Sequence, residues 1–211
     1  MEMDEGPKLM PAQKKKPALF LDRDGTINID RVYINDPRLI ELIPGAAEAI
    51  RDAKNAGFVI VVITNQSGVG RGIIDIHVLP TINKRLDRLL LARSGVAVDL
   101  YKMCVHAPQE NCNCRKPKPT LVLEAAKELN LDLKNSFFIG DRLTDIATGK
   151  AAACKANILV RTGKGDNEGR LYQLGSKKNR NPKEEPDYVA EDLRAAVDWI
   201  LASSKNLSSK V

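Results

Sequence analysis

The sequence predicts a three-layer α/β fold with a mainly parallel central sheet, Rossmann-like in architecture. Three observations predict it. Short apolar runs alternate with amphipathic helical patterns along most of the 211 residues, the order that builds helix-covered parallel sheets. One run, Phe58-Val59-Ile60-Val61-Val62-Ile63, is unbroken and mostly β-branched, as in a strand covered on both faces. The polar residues of greatest chemical interest each follow an apolar run, and parallel sheets open their ligand crevice at those strand ends.

The elements follow in order. Residues 18–21 form the first strand. Pro44-Gly45 opens a helix whose stripe is Ala46, Ala49, Ile50 and Ala53, and Gly57 ends it. After the strand at 58–63, Ile82, Leu86, Leu89 and Leu90 mark a helix that closes near Gly95, and a strand runs from 96 to 103. Val122, Ala125, Ala126 and Leu129 mark the next helix, 136–139 a strand, 146–153 a short helix carrying on to Cys154, and 158–160 another strand. Residues 161–187 are polar and Gly-rich and read as a loose loop, before a final helix with the stripe Leu193, Ala196, Val197, Ile200 and Leu201. Residues 1–16 read as a mobile leader, 17–205 as one domain with no large cap, and 206–211 as a tail.

Composition narrows the class. A hydrophobic content of 43% with 28% charged residues suits a soluble globular protein with one core. No apolar run is long enough to span a bilayer, and Asp22 cuts short the run after Lys14-Lys15-Lys16, so no signal peptide is read there. A cytoplasmic protein, without membrane partners and monomeric, is the expectation. The net charge of +6 sits largely in 14–16 and 177–180, and aromatics are only 4%, which argues for solvated segments over a nucleic-acid surface.

The chemistry begins at Leu21-Asp22-Arg23-Asp24-Gly25-Thr26. In an extended segment Asp22 and Asp24 point the same way and repel one another unless a cation joins them. Mg²⁺ suits oxygen ligands and bridges carboxylates to phosphates, and an aspartate can attack phosphorus. A strand ending in an Asp-Gly turn is the plainer alternative. Three more clusters lie at strand ends: Thr64-Asn65-Gln66-Ser67-Gly68, Arg115-Lys116-Pro117, and Gly140-Asp141-Arg142-Leu143-Thr144-Asp145.

With these four clusters in this order, residues 17–162 resemble the haloacid dehalogenase superfamily of phosphohydrolases. The resemblance implies that Asp22 is the nucleophile and Asp24 the general acid and base. It implies that Thr64 and Lys116 hold the transferred phosphoryl group, and that Asp22, Asp141 and the main-chain carbonyl of Asp24 bind Mg²⁺. Asp24 must then be protonated as the leaving oxygen departs, which calls for a raised proton affinity in the complex. Asp145 either meets the metal through water or caps its own helix.

Cys104-x-His106 and Cys112-x-Cys114 place four soft ligands within eleven positions. Three thiolates and an imidazole suit tetrahedral, structural Zn²⁺, clamping the loop that carries Lys116. Unrelated cysteines and a nucleic-acid knuckle are the alternatives. Cys154 reads as a small core residue and His77 as a structural histidine. The zinc loop and the missing cap resemble the branch of the superfamily acting on heptose bisphosphates and histidinol phosphate. LDRDGTINID at 21–30, TNQSGVGRG at 64–72 and VRTGK at 160–164 lean to the heptose side. Arg142 and the short His106–Cys112 spacing lean to the histidinol side. By that resemblance Arg23, Asp30, Arg31, Val32, Tyr33, Asn65, Gln66, Ser67 and Arg115 approach a small phosphorylated metabolite. A sugar bisphosphate is the expected substrate; a polynucleotide 3′-phosphatase and a catalytically silent scaffold are the distant alternatives.

Overall fold

The computed structural model describes residues 14–174 and 181–208. Six strands form one all-parallel sheet in the order β3-β2-β1-β4-β5-β6. They are β1 (Ala18–Leu21), β2 (Val59–Asn65), β3 (Leu100–Cys104), β4 (Phe137–Gly140), β5 (Ala156–Val160) and β6 (Tyr188–Ala190). Seven helices accompany them: α1 (Ala46–Asn55), α2 (Ser67–Gly70), α3 (Leu79–Ser94), α4 (Thr120–Glu128), α5 (Leu143–Ala151), α6 (Gly165–Leu174) and α7 (Leu193–Ser208).

Alternation along the strands divides the core. Leu19, Leu21, Ile60, Val62, Ile139 and Ile158 pack with the apolar stripes of α1, α3 and α7 on one face. Ala18, Phe20, Val61, Ile63 and Phe138 pack with Leu121, Val122 and Ala125 of α4 on the other. After the edge strand β3 the chain returns to β4, beside β1. The switch point between β1 and β4 is where such sheets bind ligands, and Asp22 and Asp141 directly follow those two strands. Among the described residues no further domain is inserted; 22–45 and 105–119 are loops with single 3₁₀ turns.

Several boundaries differ from the sequence reading, and β6 has no counterpart in it. Residues 165–174 are a helix rather than loop; Asp166 and Glu168 in its first turn favour the helix N-terminus. Residues 175–180, including the basic run, lie outside the described residues, as do 1–13 of the leader and 209–211 of the tail. Lys16 is already tied to the fold, because its carbonyl accepts from Asp132 N at 2.8 Å. β3 starts at Leu100 rather than 96, since the Asp99 carboxylate itself accepts from Ile60 N at 2.8 Å. Cys154 follows α5 rather than lying on it, and burial raises its thiol to about 12.

The start of β1 depends on one hydroxyl. Ala18 N donates to the buried Ser136 Oγ at 2.8 Å, and that hydroxyl donates to Asp132 O at 2.6 Å. Ser136→Ala should therefore cost about 1–3 kcal/mol, read as a lower urea midpoint at unchanged slope; an unshifted midpoint would contradict this role.

Candidate active site

Four strand-end segments converge on a cleft of about 460 Å³. Asp22, Asp24, Thr64, Gln66, Arg115 and Lys116 line it, with Asp30, Val32, Tyr33, Asn65 and Ser67 also on its walls. The strand order puts the Asp22 backbone beside β4, where its N–H donates to Ile139 O at 3.0 Å.

The floor is a buried charge cluster. Lys116 Nζ lies 2.8 Å from Asp22 Oδ1 and 2.6 Å from Asp145 Oδ1, and donates to Ile63 O at 2.9 Å. Burial disfavours the ammonium, but Asp145 and Asp22 outweigh it and raise the lysine's pKa. Asn65 brackets the Lys116 backbone, its Oδ1 accepting from Lys116 N at 3.2 Å and its Nδ2 donating to Lys116 O at 3.4 Å. Asp141 is fully buried and receives Lys164 N on Oδ2 at 2.8 Å, while its Oδ1 has no hydrogen-bond partner. Burial, with Asp22 and Asp145 close by, pushes Asp141 up to about 8. Burial also lifts Asp145, to about 6, with Lys116 opposing.

Oxygens of Asp22, Asp141 and Asp145 lie within 4.8 Å of one another. Three carboxylates facing one ammonium, with a buried oxygen unpartnered, fit a hard divalent cation. Gly25 and Gly163 make room for Asp141: a Cβ would stand 2.3 Å and 2.2 Å from its Oδ2, and both glycines have positive φ.

Asp24 has a different setting. Burial raises its pKa, but the Arg23 charge and donors from Arg23, Asn28 and Gln66 outweigh that and hold the carboxyl low. The contacts are Arg23 Nη2 at 2.8 Å, Asn28 Nδ2 at 2.9 Å and Gln66 Nε2 at 2.9 Å. The raised proton affinity expected in the complex is thus absent from the ligand-free protein. Gln66 Nε2 also donates to Thr64 Oγ1 at 2.9 Å, joining the two loops.

Two candidate substrate contacts lie elsewhere. Arg23 is completely buried beneath the cleft, pairing with Asp24 and donating to Asn83 Oδ1 at 3.3 Å. Its charge is spent on Asp24, so it does not line the cleft. Arg31 faces away, paired with Glu41 at 2.8 Å. Asp30 Oδ1 accepts from Val32 N at 2.8 Å and holds that β-branched residue at φ 65, 71% exposed on the rim. Asp145 caps α5, accepting from Arg142 N at 3.0 Å, and also pairs with Lys116. Arg142, Thr144 and Lys164 line the cleft as well. Lys164 was missed as a site residue, although Arg-Thr-Gly-Lys directly after β5 is a fifth strand-end cluster. His77 is exposed on a 3₁₀ turn, away from the cleft walls.

The cysteine loop converges too. Cys104 Sγ lies 3.5 Å from Cys112 Sγ and 3.8 Å from His106 Nδ1, and Cys114 Sγ lies 3.2 Å from His106 Nδ1 and 3.5 Å from Cys112 Sγ. Tetrahedral Zn²⁺ spaces such ligand atoms about 3.5–3.8 Å apart, so the set fits that ion. Burial pushes Cys104 up to about 12; at Cys112 burial is outweighed by hydrogen bonds from Cys104 and Cys114, which lower it to about 7. Gln66 N donates to Cys104 O at 2.7 Å and Gly70 N to Val105 O at 2.8 Å, tying this loop to the one after β2.

A carboxylate–lysine crevice at the carboxyl edge of a parallel sheet defines a phosphatase-type hydrolase. The chain belongs to the haloacid dehalogenase-like hydrolase family, whose model matches residues 12–153, with a second model of HAD-hydrolase-like proteins matching 113–196. A D-glycero-beta-D-manno-heptose-1,7-bisphosphate 7-phosphatase of Helicobacter pylori (strain J99) is 38% identical over 185 residues, 87% of this chain and 96% of that protein. One of Yersinia pestis is 34% identical over 202 residues, covering 92% and 95%. The crystal structure of D,D-heptose 1,7-bisphosphate phosphatase from B. bronchiseptica, complexed with magnesium and phosphate, matches with a TM-score of 0.75 at 34% identity, covering 89% of this chain and 99% of that one.

Two outcomes test the metal sites. Cys112→Ser should reduce bound zinc from about one per chain to a small fraction and lower the thermal midpoint; full zinc retention would exclude Cys112 as a ligand. Asp141's folded pKa lies above its unfolded value, so its contribution to stability is complete below about pH 4 and lost as pH rises through about 8. Without Mg²⁺ the thermal midpoint should fall over that range, and added Mg²⁺ should flatten the fall. The same pH dependence with and without Mg²⁺ would count against a metal at Asp141.

Proposed function

We propose that the protein is a Mg²⁺-dependent phosphomonoesterase that removes the 7-phosphate of D-glycero-D-manno-heptose 1,7-bisphosphate. One observation carries the phosphatase chemistry: Asp22 stands at the cleft floor, 2.8 Å from a buried lysine and grouped with Asp141. The relatives' names favour a heptose bisphosphate over histidinol phosphate.

Asp22, Asp141 and the main-chain carbonyl of Asp24 would hold the ion, which supplies positive charge against the nucleophile and the phosphate. Asp22 attacks phosphorus, the ester P–O bond breaks, and an aspartyl-phosphate forms on its carboxylate. Lys116 and Thr64 offset charge on the transferred oxygens, where phosphoryl transfer needs it. Asn65 keeps Lys116 in register and Asp145 holds its ammonium.

Asp24 gives its proton to the leaving sugar oxygen, then takes one from the water that releases inorganic phosphate. The phosphate dianion beside it raises its affinity for that proton, against the pull of Arg23. Arg23 thereby sets how readily Asp24 returns to its ionised form. Arg115, whose Nη1 is buried without a hydrogen-bond partner, is the group to bind the second phosphate, since a guanidinium matches it bidentately. The domain limits follow the same reading, with 17–205 as the catalytic unit.

Asp22→Asn should abolish phosphate release, and Lys116→Ala should reduce kcat about 10²–10³-fold. A side-by-side assay on heptose 1,7-bisphosphate and histidinol phosphate, with product analysis, checks the substrate. Release unaffected by Asp22→Asn would sink the mechanism; a higher kcat/KM on histidinol phosphate would sink the substrate.

A further inference from the structure

The segment after β5 reaches the site from a direction that the four strand-end clusters do not cover. Thr162 Oγ1 donates to Gly25 O at 2.6 Å, joining this segment to the loop that carries Asp22 and Asp24. Gly163 passes so close to Gly25 that a Cβ would lie 2.6 Å from the Gly25 Cα. Lys164 N then donates to Asp141 Oδ2 at 2.8 Å. The backbone of Lys164 is therefore fixed against a carboxylate of the reaction centre, and its side chain is free to serve another purpose.

That side chain lines the cleft and is 44% exposed. Its recorded ion pair is loose: Nζ lies 3.7 Å from Asp30 Oδ2, beyond a direct hydrogen bond. Asp30 already accepts from Val32 N on its other oxygen, at 2.8 Å. Arg115 and Arg142 also line the cleft, and its two lysines differ in how they are held. Lys116 is fully engaged by Asp22 and Asp145; Lys164 on the rim is held by a single distant carboxylate. A dianionic group entering the outer cleft displaces that weak contact and gains a charge-assisted hydrogen bond.

We infer that Lys164 is a specificity-determining residue whose ammonium joins Arg115 in binding the phosphate that is not cleaved, selecting bisphosphorylated sugars over monophosphates. The inference rests on the bisphosphate reading above. It assigns Asp30 a second part, keeping the ammonium over the cleft until the substrate takes it. The backbone link to Asp141 fixes the root of the side chain, so the ammonium has a limited reach from the reacting phosphate. A substrate bearing both phosphates is then held at two points of one rigid unit, which places its reacting end by the position of its far end.

Side-chain substitution leaves the Lys164 N–H in place, so the anchor to Asp141 and the binding contact can be separated. Lys164→Met keeps most of the stem's volume and removes the charge. The readout is the ratio of kcat/KM for heptose 1,7-bisphosphate to that for p-nitrophenyl phosphate, so that losses common to both substrates cancel. The ratio should fall about ten- to a hundredfold, mostly through KM for the bisphosphate, and Lys164→Arg should recover most of it. Thermal midpoints accompany each variant. If Lys164→Met is poorly folded, the wild-type protein still decides: KM for the bisphosphate should rise with salt more steeply than KM for the monoester. A ratio within twofold of wild type in Lys164→Met, or equal salt dependence, overturns the inference. A wild-type enzyme with no preference for the bisphosphate overturns the substrate reading and this inference with it, whereas a preference that survives the substitution overturns the inference alone.

Discussion

Three buried carboxylates facing one buried ammonium are the constraint on which the rest of the structure depends. Asp22 and Asp145 pair with Lys116 at the carboxyl edge of the sheet, and Asp141 is grouped with those two carboxylates. Burying charge is tolerated only when it is paired and hydrogen-bonded. The surplus of carboxylates over ammonium suits the cluster to a further hard cation. The surrounding details keep the groups together against their mutual repulsion. Two glycines leave space for the Asp141 carboxylate, Asn65 clasps the lysine backbone, and Asp145 is pinned as the cap of α5.

The sheet carries only part of this load. Asp22 and Asp141 sit at the ends of neighbouring strands, so strand pairing alone sets their separation. Lys116 comes from a long loop after β3, where no strand fixes its position. Two local devices supply what the sheet does not. Asn65 reaches across from β2, and the Cys/His cluster closes the loop just before Arg115. A small closed metal site stiffens a short segment that has too few apolar residues to pack by itself.

Much of this was legible because it rests on strong local patterns. β1, β2, β4 and β5 are apolar runs that end abruptly in polar or charged residues, and α1 and α3 carry regular stripes closed by glycine. The convergence of Cys104, His106, Cys112 and Cys114 was legible from spacing alone. What escaped depends on tertiary context. β6 has three residues and one buried side chain, too few to show a period. α6 lies in a polar stretch where the only cue is the acidic first turn. Arg23 is a substrate contact only by resemblance, and arginine seldom lies fully buried; only the fold reveals that it is buried and paired with Asp24. Asp145 was read as a cap or a distant metal ligand, and only the position of Lys116 adds its ion pair.

Arg23 also separates the roles of two carboxylates that are near neighbours in sequence. Asp22 faces Lys116, whereas Asp24 faces Arg23, Asn28 and Gln66. A nucleophile must stay ionised while the phosphate approaches, and an acid must gain a proton when it arrives. The donors around Asp24 hold its carboxyl low, so on the proposed mechanism its protonation waits for the phosphate dianion. On the proposed function, recognition falls to the groups further out that line the cleft, on the 30–33 turn, the end of the cysteine loop and the segment after β5. Chemistry therefore resides on the rigid strand ends and recognition on the loops around them. The leaving group can change through those loops without disturbing the carboxylates that do the work.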